Sequence, residues 1–155
     1  MEGGSFTVAR GSISLSLYSV TVVDISGAAL RRAAARLPGA PVTWIEADVT
    51  GPWTAPPVDL WHDRAVFHFL TEAQDRSRYL DHVLNILKPG GQAVFATFAL
   101  DGPSRCSGLP VMRYSAATLS AELGPTFRLV ETLDDEHRTP SGGVQRFCYS
   151  RFIRD

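Results

Sequence analysis

The chain has 155 residues, 45% hydrophobic and 20% charged, with a formal net charge of -1. That length supports one globular domain with a substantial core. The near-neutral balance excludes bulk electrostatic attraction to nucleic acid or to an anionic membrane, and the Arg31-Arg32 pair reads as a solvated helix face.

Taken in chain order, the first stretch with a pattern is SISLSLY, Ser12 to Tyr18, a strict polar/apolar alternation that predicts a strand. VTVVDIS follows: Val20 to Val23 is a short, nearly all-apolar run of the kind covered on both faces of a sheet. Ser26 offers a side-chain oxygen to cap a helix, the Ala-rich segment Ala28 to Leu37 supplies it, and Pro38-Gly39 stops it. Val42 to Glu46 predicts the next strand, Gly51 to Pro57 a turn-rich loop, and Val58 to His62 a third strand.

Thr71 is placed as the cap of a helix over Glu72 to Leu87, whose Tyr79, Val83, Ile86 and Leu87 recur at helical spacing. Lys88-Pro89-Gly90-Gly91 ends it, and Gln92 to Phe98 forms a strand. Ser115 caps a further helix that stops at Leu123, with Gly124 just beyond. Phe127 to Leu133 and Val144 to Ile153 are successive strands on a short link, hence antiparallel. Repeated β-α units ending in a hairpin predict an α/β fold with a mainly parallel sheet. Ligands of such sheets sit beyond the carboxyl ends of the strands, which directs attention to the residues after Val23, Ile45, Leu60 and Thr97.

Asp24 stands at such a strand end, where a carboxylate can accept hydrogen bonds from both hydroxyls of a ribose. Asp48 ends the next strand, where it can accept from an adenine amino group while Ile25 and Val49 wall the ring. DLWHDRAVFHFL, from Asp59, is the densest segment. His62, Asp63 and Arg64 come off a strand, and an Asp63–Arg64 pair would hold the loop rigid. A single histidine among aromatics, as His68 is, more often packs than acts as a base. No Ser-His-Asp or Cys-His order is present. Cys106 and Cys148, the two cysteines, show no CxxC or Cys/His metal spacing, so no metal site is expected. Sparse cysteine without a signal-like start predicts a cytoplasmic location, and no apolar run reaches the ~18–20 residues of a membrane span.

VTVVDIS, EADV, DLWHDRAVFHFL and LKPGGQAVFATF stand in the order and spacing of class I S-adenosylmethionine-dependent methyltransferases, which the chain resembles from Ser19 to Asp155. The Trp61-His62-Asp63-Arg64 segment is most similar to the thiopurine-methyltransferase-like branch. The resemblance implies a Rossmann-like fold, S-adenosyl-L-methionine as cofactor, and a small molecule or protein side chain as methyl acceptor. By it, Asp24 would bind the ribose and Asp48 the adenine, and His62, Asp63 and Arg64 would line the methionine and substrate side. A base is needed only if the acceptor arrives protonated; Asp63 and His68, then Tyr114 and His137, are the candidates.

The family opens with a strand, a glycine-rich turn and a helix, which together need ~25 residues. Residues 1–18 cannot hold that unit whole, so the fold is expected to lack most or all of it: an atypical segment over 1–18 and a methyltransferase-like domain over 19–155. Either Gly3-Gly4 is the tail of the glycine turn and lies against the cofactor, with Thr7 to Tyr18 as the first helix, or Ser12 to Tyr18 is a strand continuous with Val20 to Val23, or a poorly ordered segment. An uncovered flank also leaves a second expectation, an inactive relative acting as an interaction module or a homodimer formed through an exposed sheet edge. A nicotinamide-dependent oxidoreductase fits less well, because its glycine fingerprint is missing and the terminal hairpin is the methyltransferase ending.

Overall fold

A computed structural model describes residues 19–139 and 142–155. Gly3, Gly4, the alternating Ser12–Tyr18 stretch and the expected loss of the first β-α unit lie outside the described residues. The chain divides into two compact units, Met1–Ala55 and Pro56–Asp155.

In the first unit, β1 (Val20–Asp24), α1 (Gly27–Arg36) and β2 (Val42–Glu46) form one β-α-β turn. The strands pair in parallel from Val20↔Val42 to Asp24↔Glu46. Helix α1 starts because Ser26 is extended and its hydroxyl accepts from the Ala29 N–H at 3.2 Å. It stops where the Leu37 N–H turns back to Ala34 O, before Gly39 at φ +76°. A Cβ at Gly27, at the helix entry, would stand 2.1 Å from Glu46 Oε2, so the exposed Glu46 side chain packs in the space glycine leaves.

The second unit holds a four-stranded sheet in the order β3-β4-β8-β7. Its strands are β3 (Val58–Arg64), β4 (Leu87–Phe98), β7 (Phe127–Arg138) and β8 (Val144–Arg154), with the short ribbon β5 (Arg105–Cys106) and β6 (Leu109–Pro110) between. β3 and β4 are parallel, joined through α2 (Ala73–Ile86); β8 runs antiparallel to both β4 and β7. A Rossmann-like α/β fold with an antiparallel terminal hairpin is therefore present.

Both faces of this sheet carry buried residues. On one, the Tyr79 ring of α2 lies 6.5 Å from that of Phe95, which in turn lies 6.2 Å from Phe152, and Val83 is buried too, all four 2% exposed or less; on the other, Ala96, Phe98 and Phe147 form a second buried cluster. Leu119 and Leu123 of α3 (Ala116–Leu123) are buried as well. Ser115 and Thr118 close a reciprocal capping box at its start, and Gly124 takes φ +80° at its end.

Three boundaries differ from the sequence reading. β3 runs on two residues past His62 to Arg64, so Asp63 and Arg64 are strand residues rather than loop residues. Glu72, not Thr71, occupies the cap of α2, with no side-chain bond there; instead the Arg76 guanidinium folds back onto Leu70 O and Thr71 O. LKPGG ends the helix as read, but the next strand does not wait for Gln92. β4 begins at Leu87, and the register against β3 jumps from Val58↔Leu87 to Leu60↔Gln92, so the Pro-Gly-Gly stretch is absorbed as a bulge. No helix of the described residues is long and apolar enough to cross a membrane.

Candidate active site

At the carboxyl end of the first unit's strands, Asp24 and Glu46 are register partners, and the Ala47 N–H donates to Asp24 O at 3.1 Å. Asp24 and Asp48 thus stand at neighbouring strand tips. Asp24 accepts the Ser26 N–H on Oδ1 at 2.7 Å, which fixes the carboxylate at the mouth of α1. Asp48 is exposed, and its Oδ1 accepts from both the N–H and the hydroxyl of Thr50 at 2.8 Å, an Asx turn that sets its orientation. Beside them Ile25 is 71% exposed, an apolar side chain held in solvent at the strand tip. Val49 is half-buried, with its carbonyl 3.4 Å from the Trp53 indole N–H.

The tip of β3 is built differently. Successive strand residues point to opposite faces, which separates Asp63 from Arg64. The expected Asp63–Arg64 pair therefore does not form. Asp63 is 2% exposed and accepts from the Tyr79 hydroxyl at 2.5 Å and from the N–H groups of Val66 and Phe67 at 3.0 Å. The Tyr79 oxygen in turn accepts from the Trp61 indole at 2.9 Å. This network ties the strand tip to α2 and shapes the turn, in which Ala65 takes φ +61°. Burial pushes the Asp63 carboxyl up to about 6, against its three hydrogen bonds, and pushes Tyr79 well above the usual phenol range, helped by the Asp63 charge.

Arg64 faces the other way. Its guanidinium carbon lies 4.8 Å from the centroid of Phe147, and its Nε–H donates to the Tyr149 hydroxyl at 3.0 Å. Burial, then the Arg64 charge, lowers the His62 imidazole. Phe147 also packs on Ala96 and Phe98, against which Ala65, Cys106 and Val111 lie.

His68 follows in a single 3₁₀ turn, Phe67–Phe69. Its ring is 0% exposed, wedged 4.6 Å from the Phe69 ring and 4.7 Å from Phe98, and its carbonyl accepts from the Met112 N–H at 2.7 Å. Neither ring nitrogen has a hydrogen-bond partner among the described residues. Burial lowers it to about 4, so the ring is neutral at pH 7. Tyr114 is buried too and pushed up to about 12 by burial and then the Glu122 charge, against Arg76. His137 sits on β7 with its ring 6.5 Å from Phe147.

The sequence reading missed Tyr79 as the partner of Asp63, and Tyr149 and Phe147 as the support of Arg64. Tyr79 was visible only as part of a helical apolar stripe. Tyr149 lies 85 residues from Arg64, on a strand whose register no local pattern sets. Among the described residues, no group of three or more potential metal ligands occurs.

Residues 3–95 match the family model described as Methyltransferase domain, and the chain belongs to the class I S-adenosylmethionine-dependent methyltransferases. Among solved structures it is similar to the N-methyltransferase NodS from Bradyrhizobium japonicum, at 24% identity and a TM-score of 0.68, over 86% of this chain and 72% of that one. A SAM-dependent methyltransferase from Methanosarcina mazei is similar at 18% identity and a TM-score of 0.66, over 93% and 87%. The Burkholderia thailandensis 1,6-didemethyltoxoflavin-N1-methyltransferase, with bound 1,6-didemethyltoxoflavin and S-adenosylhomocysteine, matches at 20% and 0.65, over 88% and 61%. At these identities the likeness establishes the fold. No curated protein matches the chain.

Proposed function

We propose that the protein transfers a methyl group from S-adenosyl-L-methionine to a small molecule or a protein side chain. The observation that carries this reading is the pair of acidic side chains on adjacent parallel strand tips, Asp24 held by the Ser26 N–H and Asp48 by Thr50, with Ile25 exposed between strand and helix. That donor set fits an adenosine. Asp24 Oδ2 takes no bond from a described residue and is available to a ribose hydroxyl, and Ile25 with Val49 supplies the apolar walls a base needs.

The cofactor's sulfonium supplies an electrophilic methyl group for in-line displacement, so the protein's task is to position the acceptor and remove water. His62, Asp63 and Arg64 are assigned to the methionine and acceptor side. The two catalytic candidates divide by their surroundings. Asp63 already accepts three protein donors, and its role is to hold the turn that presents its neighbours. His68, neutral with both ring nitrogens unbonded, is the residue able to take a proton from an acceptor that arrives protonated. The thiopurine-methyltransferase-like branch, the cytoplasmic location and the absence of a nucleic-acid partner belong to the same proposal. So does cofactor contact at Gly3 and Gly4.

Calorimetric titration of the full chain with S-adenosylhomocysteine tests it. Micromolar binding that disappears in Asp24→Ala is expected. Full affinity in that variant would end the ribose assignment.

One observation favours a second reading, an inactive relative that acts as an interaction module. β7 is an edge strand with Arg128 to Glu136 all exposed, a backbone edge open to pairing with a second copy. A folded chain that binds no S-adenosylhomocysteine yet sediments as a dimer would select it.

A further inference from the structure

Among the described residues, four arginines are less than fully exposed: Arg64, Arg76, Arg151 and Arg154. Three of them have an acceptor with real negative charge density. Arg76 pairs with Glu122 and two carbonyls, Arg151 with Glu131 and the Gln92 amide oxygen, and Arg154 with the carbonyls of Leu84 and Leu87. Arg64 has only the neutral hydroxyl of Tyr149, on Nε. Its remaining four N–H donors, the Nη1–Nη2 edge of the fork, meet no carboxylate and no carbonyl of the described residues.

The guanidinium is nonetheless fixed. It lies over Phe147 and is pinned through Nε, so little side-chain freedom remains to be lost when an anion arrives. Its place is the last residue of β3, beside Ala96 of β4, at the carboxyl end of the sheet where ligands of α/β folds sit. A half-buried, rigid cation with an open two-donor edge is complementary to a planar, two-oxygen monoanion. One guanidinium beside a neutral imidazole, His62, matches a single negative charge rather than a phosphate dianion.

The geometry points to a carboxylate subsite at Arg64, set in position by Tyr149 and Phe147 of the C-terminal hairpin. The methyl acceptor supplies the carboxylate; the inference rests on the methyl-transfer reading of the preceding section for the acceptor's role, and on Arg64 alone for the binding of the anion.

The test follows the Arg64 Nε–H resonance of the full chain by NMR, assigned with Arg64→Lys. The chain is titrated with S-adenosylhomocysteine, with 5′-methylthioadenosine, which has the same adenosine and thioether but no carboxylate, and with sodium benzoate against sodium chloride at equal ionic strength. Benzoate moves the resonance where chloride does not, and Arg64→Gln weakens benzoate about ten- to a hundredfold while S-adenosylhomocysteine affinity holds. Tyr149→Phe, which keeps the charge and the ring, weakens benzoate a few-fold by freeing the fork. A resonance indifferent to benzoate, or an Arg64→Gln protein that binds it as the wild type does, overturns the subsite; a resonance moved by S-adenosylhomocysteine but not by methylthioadenosine overturns its assignment to the acceptor. Loss of methylthioadenosine binding with the benzoate response intact would sink the adenosine reading and leave the subsite standing.

Discussion

Asp24 and Asp48 at the tips of β1 and β2, and Asp63 near the tip of β3, are the same residue type at equivalent places in successive β-α units, and they are treated in opposite ways. Asp24 and Asp48 are each fixed by a local bond two residues on and keep solvent access. Asp63 is fully enclosed and tied by three donors, one of them from a helix sixteen residues away. The difference separates two uses of a carboxylate. On the reading proposed above, those oriented by their own loops and left accessible serve a ligand. A carboxylate whose acceptor sites are filled by the protein is part of the scaffold, and Arg64, one residue on and across the sheet, is what that scaffold presents.

The sharpest way to break the contrast is to remove the two kinds of carboxylate in turn. Asp63→Ala strands the Tyr79 hydroxyl and the Val66 and Phe67 N–H groups in a dry core, and is expected to cost about 3 kcal/mol of stability in urea denaturation. Asp24→Ala should move stability by no more than about 0.5 kcal/mol, because its one partner, the Ser26 N–H, sits at the solvent-facing mouth of α1. Equal losses in the two variants would show that the two tips are not different in kind.

The second test uses pH. Asp63 is pushed up to about 6 in the folded state from an ordinary value of 3.8, so the folded chain holds that proton more tightly than the unfolded chain. Its contribution to stability is complete below about pH 4 and is lost as pH rises through 6. His68, lowered from 6.5 to about 4, runs the other way: its contribution is present above pH 6.5 and is lost as pH falls through 4. Over the shared window the two slopes oppose each other, and the wild-type stability should be nearly flat between about pH 4.5 and 6. His68→Asn unmasks the aspartate, and stability should then fall on the order of 2 kcal/mol as pH rises across that window. Asp63→Asn should give the reverse slope. A flat profile in both variants would mean that neither group titrates with the fold.

How much of this was legible in the sequence follows the range of the interaction. Ser26 and Ser115 were readable as caps because a cap is settled within three residues. Asp24 and Asp48 were readable as strand-end acids because the apolar runs before them mark the strands. The Pro-Gly-Gly segment was legible as the end of a helix, and α2 stops at Ile86, but not as part of a strand, because only the parallel pairing of β3 with β4 takes it in as a bulge. The supposed Asp63–Arg64 pair failed for a reason the sequence does contain: once the strand extends to Arg64, its alternation puts the two side chains on opposite faces. What no local pattern holds is Tyr79 beneath Asp63 and Tyr149 beneath Arg64, since both depend on packing across elements.

The smallest effect sharpens the comparison most finely. Ile25 is a large apolar side chain standing 71% exposed beside the Asp24 carboxylate. Truncating it removes little buried area, so Ile25→Ala should change unfolding stability by less than about 0.5 kcal/mol. If Ile25 is one wall of an adenine site, the same truncation forfeits a face of apolar contact in the complex, about 1 kcal/mol, and S-adenosylhomocysteine affinity should fall roughly five-fold. At the second tip the order of effects is inverted: Phe67 is 0% exposed, in contact with the rings of Tyr79, Phe95 and Tyr114, and its truncation should cost about 3–5 kcal/mol of stability before any ligand is considered. An Ile25→Ala protein with unaltered ligand affinity would leave its exposure without a function and reduce the first tip to its two carboxylates.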